Sequence, residues 1–281
     1  MVTASASENP DLWRALKGGS NNFGTVTRFT AHSFPSNRIW SGFLYMHSSS
    51  SQVAKVLGAF HESVNRANPQ DSSTSFDSHA AGPLACFSYV QAIGIQAISV
   101  NLVYTKEYQS SSGWGKSKWP VYWRTSGFSS LWRLWSTMKY QTLTSATDEM
   151  NMLNPPCRRQ VFDTITVKND LATLNAAHKA YSEAIAALRP ARIKGLVWTL
   201  VLQPLLPFWV RKGDPNPLGL DKGPSTPLVI VMFAVNWDEG RDDGFVKSTL
   251  RQTTERIDAA ARARGTDHPW RYLNNLYFLK S

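Results

Sequence analysis

The sequence predicts an α+β fold, with one antiparallel sheet covered on one side by helices. Strand-like runs and amphipathic helices alternate along the chain in two similar β-rich halves. Two stretches, residues 170–188 and 242–264, repeat apolar residues at helical spacing over several turns. The strand-like runs are alternating or wholly apolar, with Gly, Pro and Asn at their borders. The 281 residues suffice for one large or two modest domains, and an apolar share of 42% sustains a core.

Residues 9–16 read as a short helix, with Asn9 as N-cap and Pro10 at the first helical position. The loop that follows, within LKGGSNNFGTVTRF (16–29), joins the side-chain-free Gly18 and Gly19 to the turn formers Ser20, Asn21 and Asn22. Gly24 then opens a strand-like run that continues over 26–34 and stops at Pro35. A loop of this kind turns successive N–H groups into one concavity suited to phosphate. It is neither GxGxxG nor a P-loop, and a plain structural turn explains the same residues.

Residues 38–47 (RIWSGFLYMH) are a strand, and 48–51 a polar link. Val53, Val56, Leu57, Phe60 and Val64 define a helix ending near Asn68-Pro69. Residues 84–104 hold two strands about Gly94. The segment 109–147 is the least regular, with Trp114, Trp119, Trp123, Trp132 and Trp135 among Ser, Gly and Lys. Trp132 and Trp135, with Leu131 and Leu134, suggest a short packed helix. Tryptophans interleaved with Lys and Arg also fit single-stranded nucleic acid; burial in a core or an apolar substrate cleft fits them as well.

Residues 160–168 alternate as a strand. In the helix over 170–188, Leu171, Leu174, Tyr181, Ile185 and Leu188 share one face. An apolar strand over 195–202 leads into a Pro/Gly-rich loop over 204–227. A buried strand over 228–235 closes with Asn236-Trp237. The long helix over 242–264 directs Phe245, Val246, Thr249, Leu250, Thr253, Ile257, Ala260 and Ala261 inward and stops at Gly265.

A net charge of +10 admits nucleic acid, a membrane surface or an anionic ligand, but no run of five Lys/Arg occurs. Cys86 and Cys157 make neither a disulfide framework nor a metal site and read as buried free thiols. The first residues lack the apolar core of a signal peptide, and the greasiest run, 195–210, is too short to span a bilayer. GxSxG, HExxH and CxxC are absent, and the six histidines are scattered.

The run NPDLWRALKGGSNNFGTVT (9–27) resembles the signature that closes the FAD-binding domain of FAD-linked oxidases. These are enzymes with a PCMH-type FAD domain, of the berberine-bridge-like branch. Thr25 stands where Ile is usual, a small change between β-branched residues. The segment 109–147 resembles, more loosely, the substrate domain of fungal members. Near the C-terminus, Tyr272 and Asn274 match the YxNY stretch that opens the family's berberine-like segment, while Asn275 replaces its final Tyr.

The resemblance implies three parts: residues 1–35 as the end of the FAD-binding domain, 36–265 as a substrate-binding domain, and 266–281 as a truncated start of the berberine-like segment. It covers nearly the whole chain but only the later half of the family, so the chain is expected to be a partial one. It implies FAD as cofactor, contacted by Gly18, Gly19, Asn22 and Gly24, with hydride transfer from a small-molecule substrate and reoxidation by dioxygen. Neither cysteine lies in a flavin-tethering context. Tyr272 is a candidate for proton removal, and equally a core tyrosine. Gln203 and Asn216 are candidates for substrate hydrogen bonds, or polar residues that stabilise their loops. This reading involves no metal, nucleic acid or membrane. The alternative is a non-catalytic, basic, Trp-rich module for an anionic ligand or single-stranded nucleic acid.

Overall fold

The structure is a computed structural model describing residues 1–67, 76–106, 118–152, 156–212, 217–220 and 226–272. Among these residues the centre is one nine-stranded antiparallel sheet. Its order is β4 (Trp135–Ser136), β1 (Ile39–His47), β3 (Ile95–Tyr104), β2 (Ala80–Val90), β7 (Val197–Leu205), β8 (Leu228–Trp237), β6 (Arg159–Lys168) and β9 (Asp267–His268), with β5 (Lys139–Gln141) also paired to β1. Two units of the same form build it. The first is β1, α2 (Ser50–Arg66), β2 and β3. The second is β6, α5 (Leu171–Leu188), β7 and β8. In each unit the last strand lies between the other two, and the units join along β2 and β7.

The sequence accounts for these boundaries. Ser49 accepts from the Gln52 N–H to start α2, and Asp170 accepts from Thr173 N–H to start α5. Gly94, at φ +64, turns β2 back into β3. Gly265, at φ +64, ends α7 (Asp243–Ala263) as predicted. Helices α2, α5 and α7 pack against one another and against one face of the sheet. Trp40, Phe87, Val100, Trp198, Phe233 and Val235 supply that face from successive strands, and all are buried. Burying an aromatic or branched side chain of this kind stabilises by about 1.5–3 kcal/mol, so this layer holds the fold together.

Before the sheet, α1 (Pro10–Leu16) buries no side chain. Pro10 sits in its first turn as expected, but Asn9 is left-handed (φ 48) and makes no side-chain cap; its Nδ2 donates to Thr3 O at 2.8 Å instead. A 3₁₀ turn follows over Ser20–Phe23. The strand expected over 26–34 does not form: the segment is extended, but no described strand pairs with it, and a strand persists only when a neighbour takes its N–H and C=O groups. Phe29 and Phe34 are each 82% exposed.

The connection between the units holds α3 (Val121–Arg124), β4 (Trp135–Ser136), β5 (Lys139–Gln141) and α4 (Leu143–Asn151). Trp119 and Trp123 are buried core residues. The helix expected around 131–135 is absent. Leu134 N–H bonds Tyr45 O and Trp135 pairs with Tyr45, so the unfilled edge of β1 has drawn this segment into a strand. Leu131 alone of the four is buried. Trp114 lies outside the described residues. Three further expectations are corrected. Cys157 is exposed, at φ 62 on a turn. Phe245 and Leu171, each in the first turn of its helix, face outward rather than toward the sheet.

Candidate functional site

The second face of the sheet is the candidate site. Side chains alternate between faces along each strand, so the residues between the core positions share this side. Registered across the strands they form a row: Trp135, Tyr45, Ser99, Cys86, Val201, Met232 and Thr164. A second row runs His47, Ala97, Ser88, Thr199, Ala234 and Phe162. The core face is closed, whereas Tyr45, Cys86, Ser88, Thr199 and Met232 each keep partial exposure and Trp135 is 56% exposed. Thr199 Oγ1 donates to Ser88 Oγ at 3.0 Å across the seam between the units.

Two ionisable groups of this face, Cys86 and Tyr45, are held neutral. Burial pushes the Cys86 thiol up to about 12, with the Ser99 hydrogen bond pulling the other way. Cys86 keeps partial exposure as a residue, and desolvation of its sulfur holds it in the thiol form. Tyr45 is also raised, first by burial, then by the nearby Glu149 carboxylate and by Cys86.

The glycine loop lies apart from this face. Gly18 N–H and Gly19 N–H both bond Ala15 O, and Asn22 N–H bonds Gly19 O, as does Asn22 Nδ2 at 2.7 Å. These donors are therefore spent inside the turn, unlike the open nest that the sequence suggests. A Cβ on Gly18 would lie 2.9 Å from Leu218 Cγ, and one on Gly19 would run into the Phe23 ring. Gly24 differs: its φ is +117, and among the described residues no atom beyond its chain neighbours lies within 4 Å of where a Cβ would stand. It presents open backbone to whatever approaches, and this is the position in the loop that fits a close-lying cofactor.

The other predicted residues are dispersed. Gln203 is exposed, next to the end of β7, opposite Ile230 on the open face. Leu218, against the glycine loop, belongs to the connection that leaves that same end of β7. Tyr272 is at the opposite edge, stacked on Trp270 (5.9 Å, 24°) behind β9 (Asp267–His268), which pairs with β6. Arg271 donates to Asp258 Oδ1 at 2.8 Å and ties this tail to α7. Asn216, Asn274 and Asn275 lie outside the described residues. Among the described residues no group of His, Cys, Asp and Glu is arranged to hold a metal, and no helix is long and apolar enough to cross a membrane.

This architecture matches 6-hydroxy-D-nicotine oxidase from Arthrobacter nicotinovorans at a TM-score of 0.59 and 16% identity, over 98% of this chain and 54% of that one. It matches a berberine-bridge-enzyme-like protein of Physcomitrella patens at 0.55 and 14%, again over 98% and 54%. The chain has the fold of the FAD-linked, berberine-bridge-like oxidases. Within that fold it corresponds to the later part. No family model matches the sequence. The FAD-dependent monooxygenase sdcF of Emericella nidulans is 30% identical over 275 residues, 95% of this chain and 52% of that protein. A protein of Diaporthe leptostromiformis named oligopeptidase PhomG' is 30% identical over 98% of this chain, but over only 21% of its own length. The chain thus spans about half the length of the FAD-dependent monooxygenases it matches, and a fifth of the oligopeptidase.

The sequence reading missed Tyr45, Cys86, Thr199 and Trp135 as site residues. Their signal was the alternation within each strand, which marks a second face. Joining those faces into rows requires the strand register, and no single strand encodes it.

Proposed function

We propose that this chain is the substrate-side part of an FAD-dependent oxidoreductase. Residues 1–35 close the FAD-binding domain, 36–265 form the substrate-binding domain, and 266–281 begin the berberine-like segment. The observation that carries this is the open, polar-to-apolar sheet face on a fold shared with FAD-linked oxidases, in a chain whose relatives are named FAD-dependent monooxygenases. When bound, FAD supplies the acceptor for a hydride from a small organic substrate, with dioxygen as the final oxidant.

The residues of this chain bind and orient. Gly24 lets the backbone approach the cofactor where a side chain would intrude, while Gly18, Gly19 and Asn22 fix the turn that presents it. The sheet face forms the wall opposite, and Gln203 at its rim offers a substrate hydrogen bond. Tyr45 remains a neutral phenol and Cys86 a neutral thiol, so each contributes hydrogen bonding and contact rather than charge or nucleophilic attack. Tyr272 would take up a substrate proton only if the complete enzyme brings cofactor and substrate to that edge.

FAD titration into the 281-residue chain, followed by flavin fluorescence, tests this reading. Saturable binding weaker than about 1 μM is expected, since this loop supplies only part of a cofactor's contacts. Gly24→Val should abolish it. A tight stoichiometric yellow complex on purification contradicts the partial-cradle account, and equal affinity in Gly24→Val removes the loop from the cofactor site.

A further inference from the structure

We propose that the open sheet face receives a flat, uncharged, aromatic substrate bearing hydroxyl or carbonyl groups. This rests on the flavoenzyme reading for the site's role, but the ligand class is argued from the face alone. No Asp, Glu, Lys or Arg occupies either row of this face, in a chain that is 18% charged with a net charge of +10; the Glu149 carboxylate near Tyr45 and the exposed His47 lie only at its β1 edge. A partly exposed surface has no structural need to exclude charge; a ligand without charge does impose that need, because an unpaired ion covered by it would lose its water. The face is also shaped for a planar body. The middle of its second row is made of small side chains, Ala97, Ser88, Thr199 and Ala234, with Ser99 and Cys86 beside them in the first. Trp135 stands beside Tyr45 at its edge, an aromatic flank against which a ring can stack. The hydroxyls of Ser88, Ser99 and Thr199 give hydrogen bonds to oxygen substituents, and each acts as donor or acceptor.

The test compares two probes of one shape, 2-naphthol and 2-naphthoate, binding to the FAD-free chain by calorimetry at pH 7. The expected result is that neutral 2-naphthol binds at least about tenfold more tightly. Thr199→Asp, which plants a carboxylate in the middle of the face, should weaken 2-naphthol by tenfold or more; Thr199→Asn, the same shape without the charge and still able to hydrogen-bond, should weaken it by at least about threefold less than Thr199→Asp does. Trp135→Ala should weaken it with the fold intact, as read by an unchanged urea midpoint. The proposal is overturned if 2-naphthoate binds equally or better, as the net positive charge by itself would favour. It is overturned too if neither probe binds, if Thr199→Asp has no effect, or if the chain is a dimer that Thr199→Asp dissolves, which would give the face to a second copy. Because FAD is absent, these outcomes are independent of the cofactor titration, and each reading fails separately.

Discussion

His178 shows how a single side chain records its surroundings. It lies between the Phe87 ring at 4.9 Å and the Tyr181 ring at 5.4 Å, with Nε2 enclosed and unbonded. Burial lowers it from 6.5 to about 4. Its neutral form is favoured on folding, so the unfolded chain binds the proton more readily between those values. The stabilisation is complete above about pH 6.5 and is lost as pH falls toward about 4. Allowing for partial exposure it amounts to about 1–3 kcal/mol. His178→Gln stays neutral throughout, so the difference in urea midpoint between wild type and variant should change across that window and level off below it. A constant difference from pH 7 to pH 4 would contradict the assignment. Asp243 is the acidic counterpart. The Arg159 guanidinium, donating to it through two bonds of 2.6 Å, holds the carboxyl at about 2 against desolvation. This pair clamps the start of α7 to the start of β6.

Among the elements, α5 is the one most fully specified by local signals. Asp170 caps it through Thr173 N–H at 2.8 Å, and the same carboxylate accepts from Thr173 Oγ1. Leu174, Tyr181, Ile185 and Leu188 face the sheet. Asp170→Ala should cost about 1 kcal/mol in urea denaturation; an unchanged midpoint would mean that tertiary contacts alone hold this end. The sequence made α5, α7, α2 and six strands legible, since each carries its period, cap or glycine stop within itself. It misled where the outcome depends on a distant partner. Residues 26–34 have strand composition and no described strand beside them, while residues 131–135 have helical spacing and the vacant edge of β1 beside them. The candidate site follows the same division. The glycine loop was visible as a motif, but the face that holds Thr199 and Cys86 exists only once β2 and β7 are in register.

For the molecule as a whole, the net charge of +10 invites comparison with nucleic-acid binders. The Arg133 guanidinium stacks over Trp119 at 4.9 Å with Nη1 enclosed, so this cation serves the core. Trp132 is exposed beside it. A single-stranded oligonucleotide should therefore bind only through diffuse charge, weakening steeply between about 50 and 200 mM salt. Trp132→Ala should leave its affinity unchanged; a marked loss in that variant would revive the Trp-rich module as the better reading. The paired β-α-β-β units carry a consequence of their own. They meet along a ladder of six residue pairs, Ala85–Leu202 to Val90–Val197, and where α2 packs on α5 and Asn169 donates to His61 O and Asn65 Oδ1; each keeps its own helix and three hydrogen-bonded strands. A nick in the stretch between Tyr104 and Arg159 would cut no strand pairing within either unit. The two pieces would each bear one complementary rim, and the fold would behave as a lock and its matching half, separable and able to re-anneal.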